Sequence, residues 1–172
     1  MESSLVQRMI GAARLDAETY EAVERDTNAT SSALIVVVLA ALASGVAALA
    51  LGDDVVDLLL GIAGSVVGWI LYAAVAYFIG TRIFQTAETR ATLGELLRTL
   101  GFAQAPGVLL VLAIIPILGA FVSLVVAVWI LITTIIAVRQ ALDFTTGRAV
   151  GTAVVSWVIN VIVNGLVIGI LA

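Results

Sequence analysis

The sequence predicts an all-α integral membrane protein: a bundle of five transmembrane helices preceded by short interfacial or cytosolic helices. Three observations carry this. Of 172 residues 62% are hydrophobic and the mean hydropathy is +1.20, far above the roughly 45–50% apolar usage of soluble domains. The apolar residues fall into runs long enough to cross a bilayer, which takes about 20 residues. All 8 basic residues are arginines, and an odd number of crossings gathers them on one side, as the positive-inside rule demands. The chain therefore divides into an amphipathic, acidic N-terminal segment, residues 1–30, and a five-helix transmembrane domain, residues 31–172.

In the N-terminal segment, Leu5, Val6, Met9, Ile10 and Ala13 recur at helical spacing, with Gln7, Arg8 and Arg14 among them. That pattern predicts a short helix lying on the membrane surface. Asp16 predicts the N-cap of a second short helix, with Ala17, Tyr20 and Val23 on one side and Glu18, Glu21 and Glu24 on the other. The first apolar run begins near Ala33 and is long, so it reads as a retained span rather than a cleavable signal.

Spans are expected at residues 31–51, 56–80, 103–116, 118–138 and 149–171. Small residues fill the second half of the first (Ala43, Ser44, Gly45, Ala47, Ala48), which predicts close packing against a neighbour, and Gly52-Asp53-Asp54 ends it. The second contains Gly61 and the pair Gly64-x-x-x-Gly68, read as packing within the bundle, with dimerisation as its other use. Thr92-Leu93-Gly94-Glu95 is a capping box. It opens a short helix with Leu93, Leu96, Leu97 and Leu100 on one face, expected to lie along the membrane or dock under the bundle. The apolar run from Gly107 to Val138 is too long for one crossing, so Pro116-Ile117-Leu118-Gly119 is read as a tight turn between two spans. Arg139 to Gly147 is then a return loop, with Asp143 set to pair with Arg139 or Arg148, and Thr145 or Thr146 caps the last span.

Charge fixes the count. With the N-terminus inside, five crossings place Arg8, Arg14, Arg25, Arg82, Arg90, Arg98, Arg139 and Arg148 together, against Asp53, Asp54 and Asp57 on the far side. Four crossings, with one kinked helix from Gly107 to Val138, would carry Arg139 and Arg148 across. The expected location is the cell membrane, N-terminus cytosolic and C-terminus outside.

Composition narrows the chemistry. Without cysteine there are no disulfides or thiols, and without histidine the usual metal ligand and near-neutral acid/base are missing. Ser123 and Ser156 have no histidine or lysine to activate them, and no glycine-rich phosphate loop occurs. An acidic balance speaks against nucleic acid. The reading is a non-enzyme with no cofactor. Its expected partners are membrane lipid and a protein at the cytosolic face, and a homo-oligomer remains open.

Two groups of residues are candidates for function. Tyr20, Glu21, Glu24, Gln104, Arg139, Asp143 and Arg148 would form a partner-binding surface on the cytosolic side. Thr152, Ser156, Asn160 and Asn164 fall at four-residue steps along one face of the last span. With Thr133, Thr134 and Gln104 they suggest a polar intramembrane path, while interhelical hydrogen bonding is the competing and favoured reading. No ionisable residue lies mid-span, which disfavours proton coupling. Glu18, Glu21, Glu24 and Asp26 have the oxygen chemistry of a divalent-cation site, but a solvated helix face explains them more simply.

Three segments together resemble a known family. Leu15-Asp16 followed by Tyr20-Glu21-Ala22-Val23-Glu24-Arg25-Asp26, leading into the first span, is similar to the entry of prokaryotic members of the YIP family, membrane proteins named for Ypt/Rab interaction. Leu100-Gly101-Phe102-Ala103-Gln104-Ala105-Pro106 resembles their segment before the third span. Trp129 and the run from Ala137-Val138-Arg139-Gln140 through Asp143-Phe144-Thr145-Thr146-Gly147-Arg148 to Val150 resemble their loop into the last span. The resemblance implies five spans and a cytosolic N-terminus. It implies no catalytic set, and the vesicle-traffic role of eukaryotic relatives does not transfer with it.

Overall fold

The computed structural model describes residues 4–86, 89 and 91–171, with the side chains of 116–117 and 164–171 outside the description. Its helices are set by local chemistry at their ends. Ser4 opens α1 (Leu5–Ala13) through a capping box with Gln7, and Asp16 caps α2 (Ala17–Arg25) by accepting from the Glu18 amide. Between them Leu15 turns left-handed at φ 64, while the Leu15 and Asp16 amides donate to Ala12 and Gly11 carbonyls. This is the paired-bond ending of a Schellman motif. Gly52, at φ 117, ends α3 (Ala29–Leu51) the same way, with Gly52 and Asp53 donating to Leu49 and Ala48. Asp54 then starts α4 (Val55–Arg82) in a capping box with Asp57, so two of the three far-side acids serve as a helix cap.

α5 (Leu93–Phe102) begins with the Thr92/Glu95 box. It runs on through a 3₁₀ segment (Ala105–Ile114) to form the third crossing, 22 residues in all. The sequence pattern predicts two elements here, a short helix lying along the membrane or docked under the bundle and a short span beginning at 103. In the structure the first half is already inside the bundle: Leu96, Thr99, Leu100 and Phe102 are buried, and so is Arg98. Ten residues is long for a 3₁₀ helix, which rarely exceeds about four. Its narrow cross-section suits the close approach to α3, where Gly107 lies on Ala40 and a Cβ at 107 would stand 2.8 Å from that of Ala40.

The hairpin at Pro116 differs from the expected turn in its register. The chain reverses at extended Ile115, and Pro116 is the first residue of α6 (Pro116–Ala141), the position where a missing amide costs nothing. Gly119 lies in the first turn of α6, where a side chain would meet the Ala113 carbonyl at 2.7 Å. α7 (Thr146–Leu171) completes the chain.

Five stretches are long and apolar enough to cross a membrane: Ala29–Leu51, Val55–Arg82, Leu93–Ile114, Leu118–Ala141 and Thr146–Val163. They form a ring in which α3 touches the 3₁₀ segment, that segment touches α6, α6 touches α7, α7 touches α4, and α4 returns to α3. Gly101 on Ala33 and Gly107 on Ala40 make the third crossing parallel to the first. The seven described arginines all belong to one end of this bundle, called here the arginine end.

One packing expectation fails. Gly61, Gly64 and Gly68 have nothing within 4 Å of the place a side chain would occupy, so the glycine pair seats no neighbouring helix of this chain. The first half of α4 packs on α3 through Leu58 against Gly45, while Val55, Val56, Leu59 and Leu60 are each at least 60% exposed.

Candidate functional site

At the arginine end the helix α2 is folded onto the bundle. Tyr20 and Val23 share a core with Leu96, Leu100, Phe102, Ala137, Val138, Leu142 and Phe144. Three stretches far apart in sequence thus pack on one another there: α2, the α5 exit and the α6–α7 corner. Arg98 fastens them. Only 6% exposed, it donates from Nε to the carbonyls of Val23 at 3.2 Å and Glu24 at 3.0 Å, and from Nη2 to Glu24 again. Those carbonyls end α2 and have no partner in their own helix, so a cation there both satisfies them and complements the helix dipole. Trp129 does the same for α1, its indole N–H donating to the Ala13 carbonyl at 2.8 Å. α1 therefore ends against α6 inside the fold.

The predicted surface residues separate. Arg139, Asp143 and Arg148 are exposed, and Glu21 is partly exposed and paired with Arg25 at 2.7 Å. Tyr20 is not on that surface: it is fully buried, its hydroxyl donates to the Ala12 carbonyl, and burial pushes its ionisation far upward. Gln104 lies instead within the ring. The expected Asp143 ion pair is absent among the described residues. Asp143 sits left-handed at φ 51 as the residue after the α6 cap, with its amide on Gln140 and that of Phe144 on Arg139. Its carboxylate belongs to a loose acidic group. Burial first, then Glu95 and Asp143, raises the Glu24 carboxyl to about 7, against the opposing pull of Arg25. Asp26 goes the other way, held low by the Arg8 guanidinium at 2.7 Å and the Asn28 amide. No three of the described carboxylates are placed to hold a metal ion.

The second feature is a cavity of about 760 Å³ at the centre of the ring, walled by all five spans. Thr134, Asn160 and Gln104 line it, joined by Ser44 and Ser65. Of the other members of the predicted path, Thr133, Thr152 and Ser156 do not line it. Thr133 is buried and donates to the Ala103 carbonyl at 2.8 Å, bracing α6 on the third crossing. Thr152 and Ser156 are fully buried with no hydrogen-bond partner for their hydroxyls. The Asn164 side chain lies outside the described residues. Trp69 donates to the Leu97 carbonyl at 3.0 Å and Tyr72 to that of Ala153 at 3.0 Å, tying α4 to its neighbours beside the cavity.

Sequence reasoning missed Ser44 and Ser65 as cavity residues and the buried, fastening role of Arg98. No local signal marks that role: Arg98 lies off the face of Leu93, Leu96, Leu97 and Leu100, and its partners are 74 and 75 residues away.

A ring of five long apolar helices with a packed, charged end defines a multi-pass helical membrane protein. A model of the Yip1 domain matches residues 16–168, and the chain belongs to the YIP family. Comparisons with curated proteins and with solved structures give no match.

Proposed function

We propose that the protein is a non-enzymatic scaffold of the cell membrane that binds a protein partner at its cytosolic face. One observation carries this: the three stretches that resemble YIP proteins converge on one packed platform, which exposes Arg139, Asp143 and Arg148 and partly exposes Glu21 and Glu24. At the far end, by contrast, the short turns around Gly52 and Ile115 are taken up with ending and starting helices. A rigid charged platform on a membrane anchor offers a docking surface, since exposed charges on a fixed frame give orientation and specificity.

The test places a photo-crosslinking residue at Arg148 and, separately, at Leu60 on the far half of α4. Discrete protein adducts at 148 and none at 60, lost when Glu21, Glu24 and Arg139 are neutralised together, support the reading. Adducts indifferent to that neutralisation would remove its basis.

A second reading is a small channel or transporter with a polar path along the last helix. Its support is the cavity shared by Asn160, Thr134 and Gln104. It ranks second because the arginine end of the ring is filled by Tyr20, Leu96, Phe102 and Leu142, all fully buried. Solute flux in liposomes that Asn160→Leu abolishes would reverse the ranking.

A further inference from the structure

We propose that the central cavity is a binding site for an uncharged lipid whose polar part is a hydroxyl group, of the long-chain alcohol class. The inference stands independently of the scaffold reading and treats the cavity as an end point rather than a conduit.

The size is that of a ligand site: about 760 Å³, against about 300–1,000 Å³ for small-molecule pockets generally. The wall fixes the chemistry. No lining residue is charged, so an ionised head group would find no counter-charge in a low-dielectric site, at a cost of several kcal/mol. Polar groups do line it, however. Thr133 bonds the Ala103 carbonyl, which puts Gln104 and Thr134, the next residues on each side, at one level of the wall. Asn160 adds a second amide 14 residues into α7, about 21 Å along it. An amide carries both donors and an acceptor, and a hydroxyl is the smallest neutral group that answers both.

The shape indicates where such a molecule enters. Toward the arginine end the cavity is floored by Leu100, with the fully buried Leu96, Phe102 and Leu142 beyond it. On the opposite side the lining residues Ser44, Ser65, Val154 and Trp157 are exposed. A blind, uncharged cavity that opens sideways between helices faces bilayer hydrocarbon, from which an alkyl chain passes without leaving an apolar medium. Gly68 leaves room for that chain, since a side chain there would project into open space within the lining.

The experiment uses the full chain in lipid nanodiscs and a hexadecanol analogue bearing a diazirine in its alkyl chain. Its carboxylic acid counterpart serves as the charged control and unlabelled hexadecanol as competitor. The alcohol should label peptides within residues 65–72 or 153–160, be displaced by hexadecanol, and outcompete the ionised acid. Gly68→Leu should cut labelling about tenfold, while Gly61→Leu, equally open but outside the lining, leaves it intact. Should Gly68→Leu fail to elute as a monodisperse particle, Val154→Trp narrows the cavity from α7 and should act alike. Two results would overturn the proposal. These are labelling spread evenly over outward residues such as Phe121 and Leu124, and labelling unaffected by narrowing.

Discussion

Replacing Arg98 with methionine should release α2 from the bundle while leaving the transmembrane ring assembled. Methionine keeps most of the length and apolar stem but removes every donor. The carbonyls of Val23 and Glu24, now answered by one buried guanidinium, would then be left unsatisfied. A hydrogen bond from a charged donor contributes about 1.5–3 kcal/mol, and two acceptors are served. Part of that gain is offset because the wild-type cation itself is held out of water. A net loss of about 3 kcal/mol follows, which raises the detached population of α2 about a hundredfold. Hydrogen exchange in detergent or nanodiscs reads this directly: amides of residues 20–25 should lose about two decades of protection, while those of α3 and α6 keep theirs. Arg98→Lys should fall between, since one ammonium cannot reproduce the fork. Unchanged exchange in α2 for Arg98→Met would refute the assignment of Arg98 as the fastening residue.

Glu24 gives a pH dependence. Its carboxyl titrates at about 7 in the folded protein against a usual 4.5, so between those values the folded state holds more proton than the unfolded one and stability falls as pH rises. Glu24→Gln should therefore stabilise by on the order of 1 kcal/mol above pH 7, after discount for partial exposure, and by nothing well below 4.5. Thermal melts at the two extremes check it, and an equal effect at both would contradict the assignment. Gly101→Ala should destabilise by about 1–3 kcal/mol, because its Cβ would lie 2.7 Å from the Ala33 Cβ and 3.1 Å from the Ala33 carbonyl. Gly61→Ala, facing open space, should instead stabilise by about 0.5–1 kcal/mol through helix propensity. Paired melts of the two variants test that contrast.

What was readable in the chain follows what is local. Hydropathy located the five apolar stretches, and Asp16, Thr92 with Glu95, and Gly52 marked helix ends because capping is chemistry between residues a few positions apart. α5 was misjudged for a physical reason. Its leucine face predicts a helix lying along the membrane or docked under the bundle, and only the carbonyls of α2, 74 and 75 residues away, make Arg98 a core residue. Tyr20 was read among acids as part of a surface, yet it lies on the side it shares with Val23, and that side is the buried one. Gly64-x-x-x-Gly68 states that close approach is sterically possible, not that a neighbour is there. Gln104 belongs to both predicted groups, the charged surface and the polar path; continuation of α5 into the 3₁₀ segment carries it inside, to the second.

Sidedness is tested most directly by thiol accessibility, for which the chain is suited because it contains no cysteine. Single variants Glu18→Cys, Asp53→Cys and Arg148→Cys, with a cysteine appended after the last residue, are exposed in intact cells to a membrane-impermeant maleimide. Five crossings with the arginine end inside predict labelling at 53 and at the appended residue, with 18 and 148 labelled only after permeabilisation. An appended cysteine that behaves like position 18 would contradict the five-crossing account and the cytosolic platform with it.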